Sequence, residues 1–262
     1  MTVPSAPLCV VPTFLRTAAD LDLAVRCLVS LWSTAPHAGV LIVDNASPEP
    51  ALVQQLAVAA SELGHDIVAL DEAGSVARAV NVGLEHALET GRDAVLVNAG
   101  IEFADPAWLD RMLGRTDTAG RPAAVVGARL VDPSGCIRHA GMLFSVRTRT
   151  FWHRCRHAPA NLPEALDPLR CPVAVALQLI RHETLATIGL YDEGFGGSYA
   201  DVDYCLRVFA AGRDCIYEPA AWAVEHATVL APESDPVREA SHQHLIQKWL
   251  GADFTAFTPA IV

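Results

Sequence analysis

Val40-Leu-Ile-Val-Asp-Asn-Ala-Ser-Pro48 is a run of four aliphatic residues that stops at a cluster of turn formers. Four aliphatic positions without polar alternation suit a strand buried on both faces, as in a parallel sheet. Asp, Asn and Ser end it by bonding nearby backbone, and Pro ends it by lacking the ladder N–H. The residues that follow, Leu52 to Leu63, have helical spacing. The same unit recurs on either side. Leu8-Cys-Val-Val11 stops at Pro12-Thr13 and precedes a helix over Asp20–Trp32 with Leu21, Val25, Leu28 and Leu31 inward. Ile67–Leu70 precedes a helix over Val76–Glu89, and Ala94-Val-Leu-Val97 completes the series. Strands alternating with helices predict an α/β domain with a mostly parallel central sheet flanked by helices. Ligands of such sheets sit past the carboxyl ends of the strands, so Pro12-Thr13, Asp44-Asn45 and Asn98-Ala99-Gly100 fall on the predicted rim.

Composition narrows the function classes. The chain has 262 residues, of which 52% are hydrophobic, enough to bury a sizeable core. A net charge of -11 speaks against nucleic acid as a partner, because the overall field repels polyanions. Seven cysteines, none in a CxxC pair, cannot all be joined within one chain and fit a reduced, cytoplasmic protein. The N-terminal residues lack a charged and apolar leader, and no window holds the ~20 apolar residues of a transmembrane segment. The expectation is a soluble chain, with peripheral contact at the inner face of a membrane left open.

The second informative stretch is Leu190-Tyr-Asp-Glu-Gly-Phe-Gly-Gly-Ser-Tyr-Ala-Asp-Val-Asp-Tyr-Cys-Leu-Arg207, continued by Ala211-Gly-Arg213, Tyr217-Glu-Pro219 and His226. Asp201 and Asp203 fall in the first turn of a predicted helix, where carboxylates suit the partial positive charge of the N-terminus. Capping accounts for those two. It leaves unexplained why Asp192, Glu193, Arg207 and His226 gather with them around backbone-permissive glycines.

The succession Asp-Glu-x-Phe, Asp-Val-Asp-x-Cys-Leu-Arg, Ala-Gly, Tyr-x-Pro-x-Ala, His resembles the C-terminal signature of family 2 glycosyltransferases, in particular the rhamnosyltransferase-like group. The likeness runs from about Leu8 to about His226. It implies the GT-A fold, with a Rossmann-like nucleotide-binding half over about 1–100, an acceptor-binding half over 101–230 and a helical tail over 231–262. It also implies transfer of a sugar, with inversion, from a UDP-, dTDP- or GDP-linked donor to a hydroxyl of a glycan, lipid-linked or other glycoconjugate acceptor. Asp201 matches the family's general base, whereas Ala200 stands where relatives carry Glu.

By the same resemblance, Asp44 and Asn45 match the segment that binds the nucleoside. Pro12, Thr13 and Arg16 match the first nucleotide loop, and Arg78 and Asn81, within Gly74–Gly83, match the donor-site run. Each has a plainer reading: turn chemistry for Asp44, a strand-ending proline for Pro12, a helix-internal structural residue for Asn81. Asp192 and Glu193 match the acceptor side. Trp152 stands where an acceptor sugar stacks, or packs as an ordinary strand residue.

One motif departs from the pattern. Relatives carry Asp-x-Asp after the fourth strand, and its last carboxylate holds Mg²⁺ or Mn²⁺ against the diphosphate; here the stretch is Asn98-Ala99-Gly100. A hard cation needs oxygen ligands; Asn98 and Glu102 are the nearby candidates, though strand alternation would have to be broken for both to reach one ion, and His226 matches the distal histidine that ligates the metal in some relatives. Either the enzyme works without the usual metal or it has lost turnover. Between Asp132 and Glu164 there is no acidic residue, while Arg138, His139, Arg147, Arg149, His153, Arg154, Arg156 and His157 lie there. This is either a basic surface balancing acidic neighbours or a set of guanidinium forks, Arg154 and Arg156 among them, that with His226 stabilises the diphosphate.

The remaining segments read as two strands around an Asp132-Pro-Ser-Gly135 turn, a strand over Val173–Arg181, a helix over His182–Ile188, a break at Ala231–Pro236 and an amphipathic helix over Val237–Leu250. The last helix packs back on the domain or forms a homodimer contact. Besides the transferase there are two other readings: a GT-A domain that binds nucleotide sugar or glycan without turnover, and a nucleotidyltransferase. The latter is disfavoured by the lack of a Gly-rich basic phosphate loop near the N-terminus.

Overall fold

The computed structural model describes residues 6–226 and 234–261, so part of the expected break at Ala231–Pro236 lies outside the described residues. The first apolar runs become β1 (Leu8–Thr13), β2 (Gly39–Asp44), β3 (Asp66–Ala69) and β4 (Ala94–Val97), separated by α1 (Ala18–Thr34), α2 (Pro50–Glu62) and α3 (Val76–Glu89). All four strands are parallel, in the order β3-β2-β1-β4. The short β5 (Ile101–Glu102) and α4 (Trp108–Gly114) lead into β6 (Val125–Val131) and β7 (Ile137–His139), which flank the expected Asp132 turn. Then come β8 (Met142–Ser145), β9 (Thr150–His153), β10 (Leu169–Arg170), β11 (Leu177–Ile180), α5 (His182–Ile188), α6 (Ala200–Ala210), β12 (Cys215–Glu225), α7 (Asp235–Lys248) and β13 (Ala260–Ile261).

The main sheet runs β10-β12-β6-β11-β4-β1-β2-β3. β11 is antiparallel to both β4 and β6, and joins the parallel N-terminal block to the parallel β6–β12 pair. β13, β8 and β9 form a small separate sheet. β11 is shorter than the expected Val173–Arg181 because the residues before it bond elsewhere. The Val175 N–H goes to the Asp201 carboxylate, and the Ala174 N–H goes to the His139 ring.

Alternation along β1 shows why the sheet is covered twice. Leu8 and Val10 enter the core built with α3, whereas Cys9 and Val11 enter the core built with α1 and α2. On α1 the expected Leu28 and Leu31 are buried, while Leu21 and Val25 are half-buried at the margin. α3 lies very close on β1: a Cβ at Gly83 would stand 2.1 Å from Val10 Cγ1. α7 packs back on its own domain, where Lys248 and the adjoining Trp249 bond Asp203. No helix among the described residues is long and apolar enough to cross a membrane.

Candidate functional site

The strands that open the sheet end at one rim. Thr13 pairs with Asp44 at the last register position of β1 and β2, and Asn98 follows the end of β4. Above this rim is a cavity of about 430 Å³, lined among others by Pro12, Asn98 and Glu225 at strand ends of the sheet, by Val76 at the start of α3 and by Tyr199 and Asp201 at the start of α6. Tyr199, the residue before α6, has φ +69°, a left-handed conformation uncommon outside glycine. This turn starts the helix where Asp201 lines the cavity. Asp201 does not cap by the usual side-chain bond. One oxygen accepts the Val202 N–H at 2.9 Å and the other the Val175 N–H at 3.1 Å, which fixes the carboxylate between α6 and the segment before β11.

Asp203, two residues on, is fully buried and has a separate role. It accepts from Arg207 Nε, Lys248 Nζ and Trp249 Nε1 at 3.0, 3.0 and 2.9 Å.

The rim residues are largely tied to one another. Asp44 is buried and accepts the Ser47 N–H and hydroxyl, with the Thr13 hydroxyl at 3.5 Å. Asn45 exchanges two hydrogen bonds with the Gly74 backbone, both at 2.9 Å, which brings the loop before α3 to the end of β2. Arg16 stands half-exposed near Asp20, and Arg78 pairs with Glu72. Asn81 clamps the loop before α6. Its Nδ2 donates to the Tyr191 carbonyl at 3.0 Å and to Glu193 at 2.8 Å, and its Oδ1 accepts the Tyr191 N–H at 2.9 Å.

Asp192 bonds Lys248 at 2.5 Å and His244 at 3.3 Å. Burial works to raise its pKa, but Lys248, the Gly194 N–H and His244 outweigh it and hold the carboxyl at about 2. The fold thus gathers Pro12, Asn98 and Asp201 around one cavity. Asn81, Asp192, Glu193, Trp152, Arg154 and Arg156 lie outside its lining. Trp152 points to the other face of β9 from Phe151 and His153, which do line it.

The donor set does not fit a divalent cation in this cavity. Ala99 is buried, and the Gly100 N–H turns back to Asn98 Oδ1 at 3.2 Å. Asn98 Nδ2 donates to Glu225 at 3.1 Å, which places its nitrogen rather than its oxygen toward that carboxylate. Glu102 is engaged with His226 at 2.8 Å across the β5–β12 pair. Among the described residues no three His, Cys, Asp or Glu side chains come together to hold a metal. Arg154, offered by the sequence for the diphosphate, bonds the carbonyls of Glu164 and Asp167.

His153, which the sequence sets beside Trp152, reaches the cavity from β9, and two further cavity residues carry no such mark in the sequence: Glu225, the last residue of β12 before His226, and Arg238 from α7. An alternation count along Trp222–His226 would have found Glu225; no local signal marks Arg238.

No protein-family model matches the chain. It is 26% identical over 252 residues to the O-antigen biosynthesis protein RfbC of Myxococcus xanthus, covering 92% of this chain and 18% of that protein. It is likewise 26% identical over 181 residues to the uncharacterized protein y4gI of Sinorhizobium fredii (strain NBRC 101917 / NGR234), covering 64% of this chain and 20% of that one. The chain therefore spans about a fifth of the length of these curated relatives. Among solved structures, GalNAc-T7 with UDP, GalNAc and Mn²⁺ superposes with a TM-score of 0.70 at 15% identity, over 95% of this chain and 48% of that one. The mannosyltransferase PcManGT of Pyrobaculum calidifontis, in complex with GDP-Man and Mn²⁺, gives a TM-score of 0.59 at 19% identity, over 95% of this chain and 64% of that one. A central, mostly parallel sheet flanked by helices, matched to both transferases along nearly its whole length, gives this chain the GT-A glycosyltransferase fold.

Proposed function

We propose that this domain is an inverting glycosyltransferase of the family 2 type that moves a sugar from a nucleoside-diphosphate sugar to a hydroxyl of a glycan or glycoconjugate. The observation that carries the reading is that Asp201 lines the same cavity as Pro12 and Asn98, the ends of the strands where an open α/β sheet binds its ligand. The relative active in O-antigen biosynthesis supports a glycan as the product.

In the proposed reaction the nucleoside lies along the Pro12–Asp44 rim and its sugar enters the cavity. The acceptor hydroxyl attacks the anomeric carbon from the side opposite the diphosphate. Asp201, held by two backbone N–H groups, takes the hydroxyl proton as the new C–O bond forms and the bond to the diphosphate breaks. A positioned base of this kind contributes ~10²- to 10⁴-fold. Arg238, which lines the cavity and pairs with Asp235 at 2.9 Å, meets the charge of the departing diphosphate.

A second reading, a GT-A domain that binds nucleotide sugar or glycan without turnover, is favoured by Gly100 and by Ala200 in place of the family's carboxylates. Product analysis with UDP-, dTDP- and GDP-linked sugars, after EDTA treatment and again with Mn²⁺, separates the two. Turnover in EDTA supports the transferase. Binding without product under both conditions supports the silent domain.

A further inference from the structure

His139 and His153 form a pair that the proposed reaction does not use. Their Nδ1 atoms are 2.9 Å apart, linking β7 to β9. The far nitrogen of His139, Nε2, lies 3.3 Å from the Gly141 N–H and 3.2 Å from the Ala174 N–H. Two backbone donors aimed at one ring nitrogen require that nitrogen to carry a lone pair. The single proton of a neutral His139 ring therefore sits on Nδ1 and is donated to His153. The receiving Nδ1 of His153 must then be bare, which leaves its proton on Nε2. Among the described residues no side chain or backbone group bonds that Nε2, and His153 lines the main cavity.

His153 also lines a smaller adjoining cavity of about 170 Å³, and Glu225, Ala174 and Ala176 line both. An N–H donor and a carboxylate acceptor thus occupy the wall between the two spaces. Asn98 and Arg138 hold Glu225 in place, at 3.1 and 3.6 Å. One donor and one acceptor on this wall suit the chemistry of two sugar hydroxyls, one accepting from the imidazole and the other donating to the carboxylate.

We propose that His153 presents a fixed, neutral Nε2–H to a sugar hydroxyl in the cavity, that Glu225 takes a second hydroxyl, and that His139 is the positioning residue that fixes the tautomer. The inference rests on the glycosyltransferase reading for its ligand, whereas the tautomer stands on the protein alone. The groups around His153 keep it neutral. Burial pushes its pKa down first, and Arg156 and Arg138 add to this, to about 4. Burial holds His139 well below the ordinary histidine value, with His153 adding to it. Glu225 is the nearby anion, and it is already paired with Arg138. Protonating His153 would also set two Nδ1–H groups against each other.

The test uses the full chain. Long-range ¹H–¹⁵N spectra of the ring nitrogens should show His153 as the Nε2–H tautomer, unchanged between about pH 5.5 and 8, and His139→Phe should abolish that fixed state. Calorimetry then measures binding of UDP, dTDP, GDP, UDP-glucose, UDP-galactose, dTDP-glucose, dTDP-rhamnose and GDP-mannose, and of methyl glycosides in the presence of the nucleoside diphosphate that binds. His153→Phe should weaken one sugar-bearing ligand ~tenfold or more and leave the nucleoside diphosphate unchanged, while His153→Gln, which keeps an N–H donor, should retain most of the affinity. Loss confined to the nucleotide sugars assigns the two hydroxyls to the donor; loss confined to the glycosides assigns them to the acceptor. A titrating or Nδ1–H His153, or sugar binding indifferent to His153→Phe, overturns the inference. If no ligand binds the wild type, the glycosyltransferase reading fails and takes the hydroxyl assignment with it, while the spectra still decide the tautomer.

Discussion

The indole Nε1 of Trp249 donates to the buried carboxylate of Asp203 at 2.9 Å, so the helix that carries Asp201 is braced from the far end of the chain. Arg207 and Lys248 complete the set around the same carboxylate. Removing it leaves the indole N–H without its acceptor and takes a charged partner from Arg207 and Lys248, which keep the Ile188 and Leu190 carbonyls and Asp192, respectively. Asp203→Ala should cost ~3–5 kcal/mol, the usual penalty for breaking a buried charged pair. Denaturant midpoints measure the loss, and a red shift of Trp emission would report release of the tail. A variant within 1 kcal/mol of wild type, as an order-of-magnitude bound, would show that the brace carries no weight.

Asp201, by contrast, lines the cavity, with its carboxylate held by the Val202 and Val175 N–H groups. Asp201→Asn preserves the shape and should leave nucleoside-diphosphate binding within about twofold. Transfer should fall by ~10²- to 10⁴-fold. Radiolabelled sugar transfer, alongside calorimetry of the same preparation, checks both halves; wild-type turnover in this variant would remove Asp201 as the base.

Gly83 sets the distance between α3 and β1. In Gly83→Ala the new methyl would meet Val10 Cγ1 and Cγ2 at 2.1 and 2.6 Å, so helix or strand must move. Overpacking of this kind costs ~1–3 kcal/mol. Combining it with Val10→Ala should recover part of the loss, and a double-mutant cycle on thermal midpoints reads the coupling. Additive losses would mean that the two residues do not meet in solution.

Asp192 gives the loop before α6 a pH-dependent tie to the tail. Its pKa is depressed to about 2, so its contribution is fully present above the unfolded value of ~3.9 and is lost as pH falls from there through about 2. Urea midpoints of wild type and Asp192→Asn should therefore differ at neutral pH and converge toward pH 2. Curves that run parallel over that interval would mean that Lys248 and His244 do not hold the carboxylate in solution.

Much of the frame was legible in the residues. Val40–Val43, Leu8–Val11 and Ala94–Val97 have no polar alternation and each stops at Pro, Asp or Asn, which is enough to read buried parallel strands with ligand-facing ends. The helix over Val76–Glu89 was readable to the residue because its apolar period is uninterrupted and Ser75 caps it. The strand over Val173–Arg181 was overextended for a reason that local pattern does not contain. Val173–Ala176 is as apolar as a strand, but its N–H groups are claimed by His139 and Asp201, 35 and 26 positions away.

The order of aliphatic runs and turn formers by itself determined the α/β class and the rim of the sheet, because burial on two faces and the end of a strand are written in local composition; the candidacy of Asp201 came from the resemblance of its stretch to family 2 glycosyltransferases. Which of the matched polar residues face the cavity was decided only in three dimensions. Asn81, Asp192 and Asp203 carry the same chemistry in sequence as Asn98 and Asp201, but they bond Tyr191, Lys248 and Trp249 away from the cavity, while Asn98, Asp201, Glu225 and His153 line it. Whether a polar side chain comes to a cavity or to a distant partner depends on residues far apart in sequence.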